Sequence, residues 1–197
     1  MLSTPAGDIE GTIEIMNAAP NKQRTVIKAD LTSLGAGQLV IDQRFNGTSG
    51  YAMDSIQGNR EITGNQLDNM RNGRFPNFLA VYKDMGVSAK LEGRQPVNDR
   101  DAFLVVFEPT TGSAVHQYFD AQTYLPIRTS VKVKVPQLGD REIEQTTDLA
   151  DYHDVDGIKI PFELKTSSSV QNFRVVVKKV EHNVAIDETL FSKPATP

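Results

Sequence analysis

Three histidines, His116, His153 and His182, are the first residues to weigh for acid–base or metal chemistry. No two stand three or four positions apart and no H-E-x-x-H run is present, so no helix face offers paired ligands. A lone histidine in a strand pattern is ordinarily a surface or edge residue. The densest acidic run is Asp151-Tyr152-His153-Asp154-Val155-Asp156-Gly157. Counted from position 152, it puts Asp154, Asp156, Gly157 and Glu163 at positions three, five, six and twelve of a calcium loop. Position one is then Tyr152, and the residues that follow alternate as a strand and include Pro161. The run reads as a hairpin turn with acidic flanks and not as a metal site. No G-x-S-x-G elbow frames a serine. Gly35-Ala36-Gly37 leads into no helix that would hold a phosphate. Paired carboxylates such as Asp148 and Asp151 read as solvated faces. The chain has no cysteine, which removes disulfides, thiolate metal sites and a cysteine nucleophile together. No enzyme activity, cofactor or metal is expected.

The remaining residues with binding chemistry are apolar. Met53, Met70, Phe75, Phe78, Tyr82 and Met85 cluster around the middle of the chain. Residues of this kind pack helices onto sheets, and methionine and phenylalanine also make adaptable walls for acyl chains. Both uses are compatible, because a pocket wall is an incompletely filled core.

The elements that would position them are mostly strands. Ile9-x-Gly11-x-Ile13-x-Ile15, Val131-x-Val133-x-Val135, Ile158-x-Ile160-x-Phe162-x-Leu164 and Phe173-x-Val175-x-Val177 are each apolar at every second position. Side chains alternate across a strand, so each run has one apolar and one polar face. Turn signals at Ala18-Ala19-Pro20-Asn21, Asn46-Gly47, Asn98-Asp99-Arg100 and Asp156-Gly157 join such runs into hairpins. About eleven strands in sequential antiparallel order follow, with the first over residues 9–16 and the last over 170–180. Phe103 to Phe107 is apolar on both faces, as in a strand covered on both sides. Between residues 65–72 and 76–85 the spacing of Leu67, Met70, Phe78, Leu79 and Tyr82 turns helical. Thr63 or Asn65 would cap the first helix, and Gly86 the C-terminal end of the second.

The 197 residues read as a single domain, 1–197, with enough chain for a real core. Hydrophobic residues make up 39% and charged residues 23%, which excludes a disordered chain. A formal charge of −4 gives no attraction for nucleic acid or anionic headgroups. No apolar stretch is long enough to span a bilayer. Residues 1–7 have no basic region and no apolar core of a signal peptide, so an export signal would lie outside this chain. A twisted sheet of this size curls, either closing as a barrel or staying open as a half-barrel. Two short helices cover only part of an apolar sheet face. An uncovered remainder would exceed the patch a monomer usually exposes, and a ligand, a partner segment or a further element would have to fill it.

Tyr118-Phe119-Asp120-Ala121-Gln122-Thr123-Tyr124-Leu125-Pro126-Ile127-Arg128-Thr129 resembles the Y-F-D-x-x-T-x-L-P-x-R segment of bacterial outer-membrane lipoprotein-sorting, LolA-like proteins. Asp151 to Phe162 resembles their D-Y-x-x-V-D-G-x-K-x-P-F segment. The stretch from Glu181 to Pro194, Gly11-Thr12-Ile13-Glu14 and Ala19-Pro20-Asn21-Lys22 are similar to the family as well. The resemblance implies a mainly β (α+β) fold, with a large curved antiparallel sheet forming an unclosed half-barrel under a small helical lid. It implies a periplasmic location and a hydrophobic cavity for a lipid or acyl-chain ligand, the acyl chains of a lipoprotein included. It also implies a helix ahead of the first strand, which is not legible before Ile9. The expected wall comprises Ile13, Ile15, Met53, Met70, Phe75, Phe78, Tyr82, Phe103, Val105, Val133, Ile160 and Phe162. The expected function is a non-enzymatic carrier or sensor. The alternative is an interaction module of a larger envelope protein, its apolar face covered by another domain or chain.

Overall fold

The structure is a computed structural model that describes residues 2–4, 7–73, 78–135, 141–169 and 172–194. The chain divides into two compact units: residues 1–82 with 184–197, and residues 83–183.

The first unit opens with a short antiparallel pair, β1 (Leu2–Thr4) and β2 (Gly7–Ile9). A five-stranded antiparallel sheet follows in chain order: β3 (Gly11–Ala18), β4 (Lys22–Asp30), β5 (Gln38–Phe45), β6 (Gly50–Asp54) and β7 (Arg60–Ile62). The expected first strand over 9–16 is thus divided, with Ile9 in β2 and the sheet strand starting at Gly11. Gly11 marks a close approach, since a Cβ there would lie 2.4 Å from the Lys28 carbonyl oxygen. The turns use short side chains to hold their own amides. Asn46 Oδ1 accepts from the amides of Thr48 and Ser49 at 3.0 and 2.9 Å, with Gly47 at φ 97°. Asp54 Oδ1 accepts from the amides of Ile56 and Gln57 at 2.9 Å each.

Helix α1 (Gly64–Asn72) starts after Thr63, whose backbone is extended but whose side chain makes no capping bond, contrary to the expected cap. The helix lies against the sheet near Gly50. A Cβ on that glycine would come within 3.0 Å of Ile62 Cβ and 3.4 Å of Met70 Sδ, so the missing side chain makes room for the helix. Arg71 Nη2 donates to the Thr48 carbonyl at 3.2 Å, and Asn21 Nδ2 to the Arg71 carbonyl at 3.4 Å. The second helix is described over α2 (Phe78–Val81) and ends there, short of the expected residue 85; residues 76 and 77 lie outside the described residues. Gly86, at φ 69°, closes a turn onto the Lys83 carbonyl instead of ending that helix. A 3-10 turn at Glu188–Phe191, capped by Asp187 Oδ1 on the Thr189 amide at 2.9 Å, brings the chain back onto this unit. Phe191 is 1% exposed there, Lys22 pairs with Glu188, and Arg44 Nη1 donates to the Ser192 carbonyl at 3.2 Å.

The second unit is all strand among its described residues. β8 (Ser88–Val97), β9 (Arg100–Glu108), β10 (Val115–Asp120), β11 (Pro126–Val135), β12 (Arg141–Val155), β13 (Ile158–Ser168) and β14 (Asn172–Val176) pair antiparallel in chain order. β8 has β9 as its one neighbour in the sheet and does not pair with β14, so the meander does not close on itself. β14 is shorter than the expected strand over 170–180. Its ladder ends where the Val177 amide donates to the Phe162 carbonyl at 2.8 Å, and Lys178-Lys179 then breaks the alternation. Fourteen strands are described where the pattern gives about eleven, the surplus being short ones such as β1 and β2.

Asp120 organises the β10–β11 turn. Its Oδ1 accepts from the amides of Thr123 and Gln122 at 2.7 and 3.1 Å, and its Oδ2 meets Arg100 Nη2 at 2.7 Å. These bonds, the Thr123 amide first, hold its carboxyl below the usual range. Val97, Ala102 and Ile127 form a buried cluster with Tyr118 against it. Tyr152 donates its hydroxyl to the Pro126 carbonyl, and burial pushes its phenol up to about 12.

Candidate functional site

In an antiparallel ladder, directly paired residues share a face. In the second unit, register places Phe103 with Phe119, and Phe107 with Val115 and Val131. Val133 pairs with Ile143, and Leu149 with Leu164 and Val175. Alternation adds Val105, Ile160 and Phe162 to that face. Five expected wall residues, Phe103, Val105, Val133, Ile160 and Phe162, are therefore brought together on one broad apolar surface, and each is half-buried. The surface is crossed by a polar row, Gln117–Thr129–Thr147–Thr166, and the row beside it passes from Val131 to Gln145 and Ser168. The groups of the first row satisfy one another: Thr129 Oγ1 donates to Gln117 Oε1 at 2.9 Å, Gln117 Nε2 to the Arg128 carbonyl at 2.8 Å, and Thr147 and Thr166 share a bond at 2.9 Å. A polar row paired within itself can sit on an apolar wall without the penalty of unmet donors. Phe162 stacks on His153 with centroids 4.2 Å apart, and Phe103 stacks on Tyr124 at 6.2 Å.

The opposite face of this unit sets Arg128, Asp148 and Lys165 beside the buried cluster of Val97, Ala102 and Ile127. It holds a cavity of about 130 Å³ lined by Val97, Ile127, Asp148, Lys165 and neighbours. Arg128 grips Asp148 through Nε–Oδ1 at 2.5 Å and Nη2–Oδ2 at 2.9 Å, and Asn98 Nδ2 adds a bond at 3.0 Å. The bonded guanidinium holds the Asp148 carboxyl below its ordinary range. The cavity is below the size of ordinary ligand sites, and its charges are mutually satisfied. The L-P-x-R arginine is thus a brace between β11 and β12.

In the first unit, Ile13 pairs with Ile27, which pairs in turn with Ile41, and Ile15 follows on the same face. Ile13 is 39% and Ile15 57% exposed. Met53 pairs with Asp42 and lies on the other face, so the structure does not bring it together with the two isoleucines. It lines instead a concavity of about 420 Å³ with Val26, Val40, Glu14, Arg24, Lys28 and Asp42. Asp42 is buried between two arginines: Arg24 reaches it at 3.0 and 2.7 Å, and Arg44 Nη2 at 2.9 Å. Burial alone would raise the Asp42 carboxyl, but bonds to Arg24 and Arg44 outweigh it and hold it low. Met70 sits on α1 over Gly50; Phe78, in α2, and Tyr82, just beyond it, are half-buried. Phe75 lies outside the described residues.

Sequence reasoning passed over Arg60. It stands on β7 beside Ile62 in the alternation, and its Nη1 is buried with no hydrogen-bond partner. Its parity with Ile62 was the available signal. The Asp151–Gly157 run is a hairpin: the Gly157 amide donates to Asp154 Oδ1 at 2.9 Å, and His153 meets Asp151 at 3.0 Å on the surface. Among the described residues no group of three acidic or histidine side chains could hold a metal ion.

No family model matches the chain, and no curated protein matches it. Solved structures do. A protein domain assigned to outer-membrane lipoprotein sorting, from Vibrio parahaemolyticus, superposes with a TM-score of 0.59 at 10% identity, over 96% of this chain and 85% of that one. The chain shares the fold of that domain. A DUF1329 family protein from Desulfovibrio piger superposes on this fold with a TM-score of 0.54 at 13% identity, over 91% of this chain and 79% of that one. Both identities are low, so the likeness concerns the fold: mainly β, antiparallel and unclosed, with few helices. No helix among the described residues is long and apolar enough to cross a membrane.

Proposed function

We propose that this protein is a periplasmic, non-enzymatic carrier or sensor that binds lipid or lipoprotein acyl chains, with residues 1–197 acting as one lipid-binding domain. The observation that carries the reading is the apolar face of the second unit. Phenylalanines 103, 107, 119, 162 and 173 share it with valines 105, 131, 133 and 175, and no helix occurs among that unit's described residues. Moving an acyl chain onto such a surface is worth ~0.8 kcal/mol for each methylene taken from water. The polar row across the face is already paired, so it makes no demand for a polar ligand. The likeness to a lipoprotein-sorting domain supports the location and the ligand class. In the first unit, Ile13 and Ile15 form an apolar face of their own, whereas Met53 falls in the charged concavity.

The test is organic extraction and native mass spectrometry of protein isolated from the cell envelope, with titration of an environment-sensitive apolar dye. Co-purified acyl lipid and a saturable dye site that oleate empties are expected. Ile160→Asp, which sets a charge on the half-buried face, should weaken dye binding at least tenfold, about 1.4 kcal/mol. A protein that carries no lipid and takes up no dye would sink the reading. Copurification of a protein segment in place of lipid would favour the interaction module.

A further inference from the structure

The first unit contains a charge that its own fold leaves unanswered. Arg24 and Arg44 share Asp42, and Arg71 is bonded to Asp68 at 3.2 Å and to the Thr48 carbonyl. Arg60, by contrast, has a buried Nη1 with no hydrogen-bond partner. An unmet buried donor costs about 1–3 kcal/mol, and more when it is charged. The neighbouring carboxylates are engaged elsewhere. Asp54 Oδ1 takes the amides of Ile56 and Gln57, and Glu61 meets Lys193 at 3.2 Å.

Register shows where this guanidinium stands. Ile15, Thr25, Gln43, Ala52 and Arg60 are paired in one row across β3 to β7. The next row on that face is Ile13, Ile27, Ile41 and Asp54. The row on the other side, through Phe45, Gly50 and Ile62, is sealed: Phe45 is 1% and Ile62 2% exposed, with Met70 of α1 above Gly50. Arg60 therefore stands at the border between the sealed end and an open track on which Ile41, Ile27, Ile13 and Ile15 are flanked by Gln43 and Thr25. The track runs four strand spacings, about 19 Å, from Arg60 to the exposed Ile15. One end offers a half-buried guanidinium whose buried Nη1 is unmet, and the other offers apolar side chains in water.

We propose that Arg60 anchors the head of an anionic amphiphile, a carboxylate or phosphate on an acyl chain, with the chain laid along Ile41, Ile27, Ile13 and Ile15. This inference rests on the acyl-chain reading and names the head group that reading leaves open. A guanidinium pairs such oxyanions through two parallel bonds, which a single ammonium cannot do.

The experiment measures dye displacement by oleate, lysophosphatidylglycerol and oleyl alcohol at neutral pH, on the full chain and on Arg60→Met and Arg60→Lys. Wild type should bind an anionic ligand more tightly than the alcohol. Arg60→Met should lose about tenfold to a hundredfold for the anion and none for the alcohol, with Arg60→Lys in between. Arg60→Met should fold at least as stably as wild type, since it removes an unpaired charge; if it fails to fold, Arg60→Lys carries the test. A preference for oleate identifies a carboxylate head and one for the lysophospholipid a phosphate head, and either supports the proposal. Equal binding of oleate and alcohol by wild type, or anion affinity unaltered in both variants, overturns it while leaving the acyl-chain reading intact. Failure of all three ligands to displace the dye overturns both.

Discussion

Replacing Asp42 by alanine tests the electrostatic account of the first unit. Asp42 is 5% exposed and is the shared partner of Arg24 and Arg44, whose side chains are 16% and 13% exposed. Removing it leaves two mostly buried guanidiniums facing each other across β4 and β5. Breaking a buried pair from one side costs roughly 3–5 kcal/mol. Both arginines keep some contact with water, and Arg44 retains its bond to the Ser192 carbonyl, so the low end, about 3 kcal/mol, is expected. Equilibrium urea unfolding followed by circular dichroism measures it. The pH dependence has a definite sign. The Asp42 carboxyl is held low in the folded state, so its contribution is complete above the unfolded value near 3.9 and is lost as pH falls through the folded one. The stability difference between wild type and variant should be constant from pH 7 to about 5 and shrink below about 4. A cost under about 1 kcal/mol, or a difference that stays constant in acid, would refute the claim that the carboxylate holds the two arginines together.

Phe191→Ala should cost about 3–5 kcal/mol in the same urea assay, because the ring is 1% exposed beneath the Glu188–Phe191 turn; an effect below about 1 kcal/mol would mean that this segment does not contribute to the core. Of the five tyrosines, Tyr152 should ionise last, at about 12, in an ultraviolet titration. Tyr152→Phe should abolish that last step and cost about 1 kcal/mol through the lost bond to the Pro126 carbonyl. The sign for this phenol is the reverse of that for Asp42: its contribution is present below pH 10 and disappears as pH rises through about 12.

Local chemistry determined a large part of this protein from its sequence. Alternation of Val131, Val133 and of Ile158, Ile160, Phe162 and Leu164 defined strands and the face they share, because side-chain direction in a strand has a strict period of two. Asn46-Gly47 and Asp156-Gly157 marked hairpins because those residues tolerate the backbone the turns require; Gly47 and Gly157 lie at φ 97° and 82°, and Asp156 at 53°. Gln38–Phe45 and Arg141–Val155 have the bounds that pattern predicts. The Y-F-D and D-Y segments carried the fold likeness because they are turns and braces, as Asp120, Arg128 and Tyr152 show.

Tertiary structure alone decided which positions meet. Met53 and Ile13 have the same apolar character, yet the pairing of Asp42 with Met53 turns the methionine to the charged face. The polar row from Gln117 to Thr166 joins residues up to 49 positions apart, and it exists only once four strands are in register. Arg60 looks in sequence like any charged residue of a short strand. Its Nη1 is nevertheless buried and unpartnered in the folded chain. Periodicity reports the direction of a side chain, whereas register and burial depend on contacts distant in sequence, and these decide which charge is answered and which is left unpaired.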